Sequence, residues 1–392
     1  MAPVSGTLFQ HGTLLDPEQA APLGGHALLV RGGRIEAVLR PGEPTPENVR
    51  VVDLAGRWLA PGFLDVHFHG ATIFDALGDP AASLRQDAAS ILRHGVTAFL
   101  PTTIALDRGE LRQRVESLAK AASEPTGAAA VLGIHLEGPW ISAEALGAQP
   151  RDAIRAYEPG EGGDVLDRAA GLVRMVTLAP EIEGAAELVA ELLRRDVVPA
   201  LGHTRADAAT AAAGFERGVR HVTHLFNAMG VFHHREPGAI GAALDHDRVT
   251  CDLICDGVHV HPAAVRTAAR IKGERLLLIT DRIDPPEGAS ASGAGGLGEA
   301  RLAADGPVWR LPDGTLAGSR LGLDEAVRNA TSFGAMTQVE AVAAATLRPA
   351  RLLGVESERG TLRAGARADL VALAAGGHVS STWIAGELAW PR

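Results

Sequence analysis

Histidine and acidic residues stand at the C-terminal ends of several short apolar segments in this 392-residue chain. Each apolar segment is predicted to be a β-strand. A (β/α)8 barrel builds its active site at the C-terminal ends of its strands, so one pocket could collect all of these polar residues. They are His67, His69, Glu137, His203, His224 and Asp281.

The apolar segments alternate with alanine-rich segments of helical periodicity. The predicted strands lie near residues 63–69, 97–101, 131–137, 174–178, 197–202, 221–225, 249–254 and 275–280. The predicted helices lie at 84–93, 110–122, 185–194 and 206–217, with two more outside the barrel near 322–334 and 337–349. Strands alternating with helices favour parallel pairing, and eight strands favour closure. The predicted fold is therefore an α/β protein with a (β/α)8 TIM barrel, and an open doubly wound sheet is the alternative.

Both ends of the chain have the pattern of short strands joined by turns. The N-terminal pattern covers about residues 6–59, and the C-terminal pattern covers about residues 368–388. Neither end alone has enough strands to bury a core. We therefore expect one small β-sandwich made from both termini, with residues 1–60 and 358–392 as its two parts and a barrel over 61–357.

Between residues 283 and 319 the pattern gives way to glycine, alanine, serine and proline. Residues 301–303 and 307–311 are predicted to pair across a turn at Asp305-Gly306. The rest of this stretch is predicted to be a mobile lid over the end of the last strand.

Composition limits the classes of partner and location. The formal net charge is −10, which argues against a nucleic-acid partner because a phosphate backbone demands a basic surface. A secretory signal and a long apolar run are not seen, so we expect a cytoplasmic enzyme without a membrane partner. Cys251 and Cys255 are expected to be reduced core thiols, with a disulfide or metal pair as the alternative.

The residue types at the strand ends are those of a hydrolytic metal site. His67 and His69 lie two apart on a strand, so both side chains point to the same face. Glu137, His203 and His224 together offer three protein ligands and leave a coordination position open for water, as a catalytic site requires.

Two other residue types refine this prediction. Lysine occurs only at Lys120 and Lys272, neither at a predicted strand end, so a bridging carboxylated lysine is disfavoured and Glu137 remains as the anionic ligand. Asp281 beside a metal ion could accept a proton from water and return it to a leaving amine. Its alternative role is that of a helix cap or turn residue.

A series of longer motifs follows the same order along the chain. The motifs are Gly62–Gly70, His135–Trp140, Gly202–Thr204, Thr223–Met229, Arg235–Gly238, Asp256–His259 and Leu316–Ser319. Together they resemble the N-acetylglucosamine-6-phosphate deacetylase family of the amidohydrolase superfamily. The resemblance runs from about Gly6 to Leu388 and implies a barrel of the metallo-dependent hydrolase type.

The resemblance also implies roles for individual residues. Glu137, His203 and His224 would bind the metal ion, and His67 and His69 would bind a second ion where the family uses two. Asp281 would act as general base and then general acid, and His259 would polarise the acetyl carbonyl. The implied substrate-binding residues are Ala148, Gln149, Asn227, Ala228, Arg235, Asp256, His259, Leu316, Ala317 and Gly318.

The implied reaction is deacetylation of N-acetylglucosamine 6-phosphate with one or two divalent ions per subunit. Zinc is the first choice and iron or manganese are alternatives. The resemblance further implies a homodimer, in which Arg235 reaches the phosphate bound by a neighbouring subunit.

Two departures from the family pattern leave alternatives open. Gln149 stands where the family usually has a histidine that contacts substrate, and Arg282 follows Asp281 where an alanine is usual. Arg282 would lower the pKa of Asp281 or point into the loop. The alternative functions are deacetylation of another amino-sugar phosphate such as N-acetylgalactosamine 6-phosphate, hydrolysis of a cyclic amide, and non-catalytic sensing of a sugar phosphate.

Overall fold

The N-terminal segment contributes short strands to two different sheets. The computed structural model of the chain describes residues 6–74, 80–284 and 302–391. The N-terminal strands are β1 (Gly6–Gln10), β2 (Thr13–Leu14), β3 (Leu23–Gly24), β4 (Ala27–Arg31), β5 (Arg34–Leu39), β6 (Val49–Asp53) and β7 (Trp58–Pro61). Four of them form one sheet in the order β5-β4-β1-β6. β2, β3 and β7 belong to a second sheet.

The main sheet alternates strands with helices, as the sequence predicts. Its elements up to residue 283 are β8 (Phe63–Gly70), α1 (Pro80–Ser90), β9 (Val96–Thr103), α2 (Arg108–Ala122), β10 (Ala130–Val131), β11 (Ile134–Glu137), α3 (Glu161–Arg168), β12 (Val173–Leu178), α4 (Ala185–Arg194), β13 (Val198–Leu201), α5 (Ala208–Glu216), β14 (His221–Val222), α6 (Gly238–Asp245), β15 (Thr250–Ile254), α7 (Pro262–Lys272), β16 (Leu276–Ile279) and β17 (Arg282–Ile283). The eight principal strands pair in parallel in the order β8-β9-β11-β12-β13-β14-β15-β16. A doubly wound sheet reverses its strand order at a switch point, so this sequential order excludes that alternative.

The curled sheet meets its own first strand just beyond β16. The backbone N–H of Asp281 donates to the carbonyl of His67 at 2.9 Å. Arg282 in β17 then pairs in parallel with Phe68 in β8. The C-terminal ends of the first and last principal strands therefore lie side by side. His67 and Asp281 thus lie at the same end of the curled sheet, which we call its mouth.

Two predicted strands are shorter or more broken than expected. The third strand is divided into β10 and β11, and Gly133 between them has a φ of 141° that other residues rarely adopt. A Cβ at Gly133 would lie 2.2 Å from the side chain of Arg174, so only glycine fits there. The sixth strand is only His221–Val222, because the chain turns into a left-handed conformation at His224.

Most of the stretch predicted to be a lid, residues 285–301, lies outside the described part of the chain. The elements after the gap are β18 (Ala303–Asp305), β19 (Val308–Arg310), β20 (Leu316–Ser319), α8 (Leu323–Ser332), α9 (Gln338–Ala344) and α10 (Leu347–Leu352). The expected pairing across Asp305-Gly306 is present as β18 against β19. β20 also pairs with β17, so this hairpin extends the main sheet instead of covering it.

The second terminal sheet joins the two ends of the chain. Its C-terminal strands are β21 (Leu370–Leu373), β22 (Val379–Ile384) and β23 (Glu387–Trp390), and the sheet order is β23-β22-β21-β7-β2-β3. One buried cluster contains residues of both terminal sheets, among them Phe9, Leu28, Leu59, Leu370 and Trp383. Residues far apart in sequence therefore share one small core.

Two composition-based expectations can be compared directly with the structure. Cys251 and Cys255 are both buried and free, as expected for core thiols. Among residues 6–74, 80–284 and 302–391, we find no helix with the length and apolar character that a membrane span requires.

Candidate metal centre and active site

Three of the polar residues follow directly on strand ends and adopt left-handed backbone conformations. The φ angles are 47° at His203, 34° at His224 and 50° at Asp281. This conformation costs an L-residue roughly 1–2 kcal/mol. Such strain clusters at functional sites, where the surrounding structure holds it in place. Here the left-handed turn follows the end of a parallel strand each time, so three side chains enter the same mouth.

Glu137 lies at the centre of the first ligand cluster. Its Oε1 atom is 2.9 Å from Nε2 of His224 and 3.1 Å from Nε2 of His203. The two Nε2 atoms are themselves 3.1 Å apart. Glu137, His203 and His224 are all buried. Three potential ligand atoms thus converge on one point, which is the arrangement that a metal ion requires.

A second cluster adjoins the first and shares Glu137 with it. The Nε2 atoms of His67 and His69 are 3.2 Å apart and lie 3.3 and 3.1 Å from Oδ1 of Asp281. Oε1 of Glu137 is 3.4 Å from His67, and its Oε2 is 3.4 Å from His69. The structure therefore brings together all six polar residues predicted at the strand ends.

Backbone carbonyls fix the tautomer of two of these histidines. Nδ1 of His69 lies 3.0 Å from the carbonyl of Thr102, and Nδ1 of His203 lies 3.0 Å from the carbonyl of Ala145. A carbonyl only accepts, so each Nδ1 carries the proton, and the neutral imidazole presents the Nε2 lone pair to the cluster. This second contact is typical of metal-binding histidines.

The electrostatics of the clusters also fit a cation. Burial alone would lower the pKa of His69, but hydrogen bonds to Asp281 and Glu137 raise it to about 10. Against the same effect of burial, contact with Glu137 raises the pKa of His224 to about 9. Two buried carboxylates thus require positive charge beside them, which a metal ion would supply in exchange for those protons. The donor set of imidazole nitrogen and carboxylate oxygen suits zinc, iron or manganese.

A cavity of about 280 Å³ opens above these ligands. It is lined by five of the six strand-end residues, all except His67, which is fully buried. The predicted substrate-binding residues that also line it are Ala148, Gln149, Asn227, Ala228, His259, Leu316 and Gly318. The lining residues that the sequence did not suggest are Gly147, Phe226, Ile283 and Thr315.

Three predicted substrate-binding residues do not line the cavity. Arg235 is exposed, with its guanidinium 3.1 Å from Nε2 of His234. Ala317 is buried in a separate apolar cluster. Asp256 accepts hydrogen bonds from the Nδ1 and the backbone N–H of His259 at 2.6 and 2.8 Å, so it orients that imidazole.

The two departures from the family pattern have clear positions. The guanidinium of Arg282 binds Asp284, with Nε 2.9 Å from both carboxylate oxygens, and also donates to the carbonyl of Arg320 at 2.7 Å. The guanidinium of Arg282 is therefore paired with loop residues. The amide of Gln149 donates to Oε2 of Glu137 at 2.6 Å and accepts from the backbone of Ala105 at 2.7 Å.

Sequence reasoning missed Asp252, which contacts the backbone of the candidate ligand His224. This buried carboxylate on β15 accepts from the backbone N–H of His224 and lies 2.8 Å from Nε2 of His221. It helps to hold His224 in its strained turn. The available signal was that His221 and Asp252 are polar residues inside neighbouring apolar strands, where an unpaired charge would be costly.

Residues 58–389 match the model of the amidohydrolase family. The chain is 39% identical to N-acetylglucosamine-6-phosphate deacetylase of Bos taurus, covering 93% of this chain and 91% of that protein. It is 36% identical to N-acetylgalactosamine-6-phosphate deacetylase of Escherichia coli O157:H7, covering 93% and 94%. A solved structure from Mycobacterium smegmatis, a variant N-acetyl-D-glucosamine-6-phosphate deacetylase in complex with N-acetyl-D-glucosamine-6-phosphate, has a TM-score of 0.88 at 34% identity and covers 98% of this chain and 99% of that chain. The chain therefore belongs to the amidohydrolase family, in the group of the N-acetylglucosamine-6-phosphate deacetylases.

Proposed function

We propose that the protein hydrolyses the acetamido group of N-acetylglucosamine 6-phosphate to give glucosamine 6-phosphate and acetate, with a divalent metal ion. The observation that carries this proposal is the convergence of Glu137, His203, His224 and Asp281 on one cavity. The similarity to curated deacetylases over more than nine-tenths of the chain supports the choice of substrate.

Glu137, His203 and His224 would hold the principal ion, and His67, His69 and Asp281 offer a second position. One or two ions per subunit follow from this arrangement, with zinc as our first choice. When bound, a divalent ion lowers the pKa of water and polarises a carbonyl oxygen.

Asp281 is the proposed proton carrier of the reaction. Burial would raise the pKa of this carboxyl, but the neighbouring imidazoles of His67 and His69 hold it below its usual value. The ionised carboxylate takes a proton from water as the water oxygen attacks the acetyl carbon. It returns that proton to the sugar nitrogen as the C–N bond breaks, which gives acetate and a free amine.

His259 is the proposed donor to the acetyl oxygen. Because Asp256 accepts from its Nδ1–H, Nε2 is the atom left for the cavity. In a protonated imidazole both ring nitrogens donate, so Nδ1–H can stay on Asp256 while Nε2–H donates to the acetyl oxygen. A donor of this kind stabilises the negative charge that develops on the oxygen during attack.

The sugar phosphate would be held by Asn227, by the backbone of Ala228 and by Arg235, while Leu316 and Gly318 line the sugar. Arg235 follows Val231 and Phe232, which are 84% and 52% exposed. This outward apolar segment supports the proposal of a homodimer in which Arg235 reaches the phosphate in the neighbouring subunit. Its planar guanidinium suits a phosphate group.

The domain organisation and the location belong to the same proposal. Residues 61–357 would form a closed (β/α)8 barrel of the metallo-dependent hydrolase type, supported by the pairing of β17 with β8. Residues 1–60 and 358–392 would form one β-sandwich, supported by their shared buried cluster. We also propose a cytoplasmic location.

Amine release from three sugars tests the function. Metal-replete protein is given N-acetylglucosamine 6-phosphate, N-acetylgalactosamine 6-phosphate and unphosphorylated N-acetylglucosamine, and free amine is measured. We expect the glucosamine phosphate to be the best substrate and the unphosphorylated sugar to have a kcat/KM at least roughly tenfold lower, because it lacks the charged partner of Arg235. Equal turnover with and without phosphate would contradict the role of Arg235. Binding of the sugar phosphate without any amine release would favour a sensor.

A side chain at Gly318 is expected to displace Asp281 and so to reduce turnover. Its φ is 81°, and a Cβ would lie 2.6 Å from Ile283 and 3.0 Å from the carbonyl of Asp281. In Gly318→Ala we expect kcat to fall by roughly 100-fold, since displacing a catalytic group by about 1 Å has an effect of that size.

Gly314→Ala is the matched control for this change. Gly314 has a similar φ of 88°, with nothing within 4 Å of its Cβ position. Both variants therefore carry the same backbone strain, and thermal unfolding should register it in both. Only Gly318→Ala should lose turnover; an equal loss in the two variants would mean that strain, and not the position of Asp281, sets the effect.

A further inference from the structure

The side-chain amide of Gln149 has a fixed orientation. The residue is buried, and its Oε1 accepts from the backbone N–H of Ala105 at 2.7 Å. A backbone N–H can only donate, so the oxygen of the amide must face Ala105 and the NH2 group must face the other way. That NH2 group lies 2.6 Å from Oε2 of Glu137 and donates to it.

This contact gives the two oxygens of Glu137 different surroundings. Oε1 lies within 3.1 Å of His203 and His224 in the first cluster and 3.4 Å from His67 in the second, so its nearest partners are those of the first cluster. Oε2 holds the hydrogen bond from Gln149 and lies 3.4 Å from His69 in the second cluster. The hydrogen bond from Gln149 occupies one lone-pair direction of Oε2, whereas Oε1 faces only the imidazole nitrogens.

We infer that Gln149 is a positioning residue that makes the two metal positions unequal. Its amide directs Oε1 of Glu137 to the ion held by His203 and His224. It also weakens Oε2 as a ligand for an ion at His67, His69 and Asp281, so the first ion binds far more tightly than the second. The inference rests on the proposed function, because that proposal makes Glu137 a metal ligand. It differs from the substrate contact implied by the family resemblance at this position.

The test compares Gln149→Met with the wild-type protein. Methionine has a similar shape and cannot donate. Ion-depleted protein is titrated with zinc against a chromophoric chelator, which gives two dissociation constants, and kcat and KM are measured on the zinc-loaded protein. Gln149→His restores a side-chain N–H donor and serves as the rescue variant. Gln113→Met makes the same chemical change at an exposed position on α2 and serves as the control.

In Gln149→Met we expect the tight constant to weaken by roughly 10–100-fold, the size of effect typical for partners of metal ligands. The weak constant should change in the opposite direction, because Oε2 becomes free. Gln149→His should restore the wild-type order, and Gln113→Met should match the wild type.

Three other outcomes would contradict this role of Gln149. If both constants weaken together, Gln149 is a general structural support and the inference is wrong. If neither changes and only KM rises, Gln149 contacts substrate and the inference is again wrong. If wild-type protein binds no zinc, the proposed function fails first and the inference fails with it.

Discussion

Asp281→Asn is expected to reduce kcat by roughly 10²–10⁴-fold, the usual contribution of a positioned general acid or base. Asparagine keeps the shape of the side chain but cannot take a proton from water. Glu137, His203 and His224 are untouched, so the principal ion should remain bound. Amine release and zinc content measured on the same preparation check this, and the expected result is a protein with its ion and almost no turnover.

Asp196→Asn is a well-matched control for this substitution. Asp196 is exposed and has a φ of 55°, close to the 50° of Asp281, so any effect of asparagine on the left-handed backbone is the same at both positions. Turnover should be unchanged in the control. Full turnover in Asp281→Asn would show that Asp281 is not the general base or acid of the reaction.

Glu137→Gln should abolish tight ion binding. The substitution keeps the volume of the side chain and removes the negative charge that lies within 3.1 Å of two imidazoles. Loss of an outer partner alone weakens metal binding by roughly 10–100-fold, so loss of the central carboxylate should exceed that range. Zinc titration measures the affinity, and turnover should fall in parallel at any zinc concentration that saturates only the wild type.

The control for Glu137→Gln is Glu187→Gln, which makes the same change on the exposed surface of α4. It should bind zinc as the wild type does. Unchanged zinc affinity in Glu137→Gln would contradict the assignment of the first cluster as the principal metal site, whatever the effect on turnover.

The six residues at the centre of the site could be predicted because they occupy equivalent positions on parallel strands. Once a segment such as β11 is identified as a strand, a residue at its end is directed to the common mouth by the fold alone. His67, Glu137 and Asp281 can therefore be identified from the sequence, even though more than 200 residues separate the first from the last.

Side chains whose roles depend on the course of loops could not be predicted in the same way. Gln149 meets Glu137 and Ala105 through a loop whose course no local pattern specifies. Asp256 turns to His259 instead of the cavity because of a tight local turn. Arg282 pairs with Asp284 at the point where β17 lies beside β8.

Sequence reasoning also missed several elements of the fold. Helices α3, α6 and α7 were not predicted. α3 and α6 each contain two glycines, which weaken the helical signal, whereas α7 contains none. Strand β20, which was not predicted as a strand, follows the predicted hairpin of β18 and β19. β20 joins the main sheet by pairing with β17, a contact between segments that no local pattern indicates.

A zinc titration of ion-depleted protein, with amine release from N-acetylglucosamine 6-phosphate followed at each step, tests whether the deacetylase activity depends on the proposed metal centre. We expect no turnover without the ion and a rise in proportion to the zinc bound, with most of the activity present when the tight position is full. Turnover that is independent of zinc, or zinc binding at the predicted ligands without any amine release, would contradict this expectation.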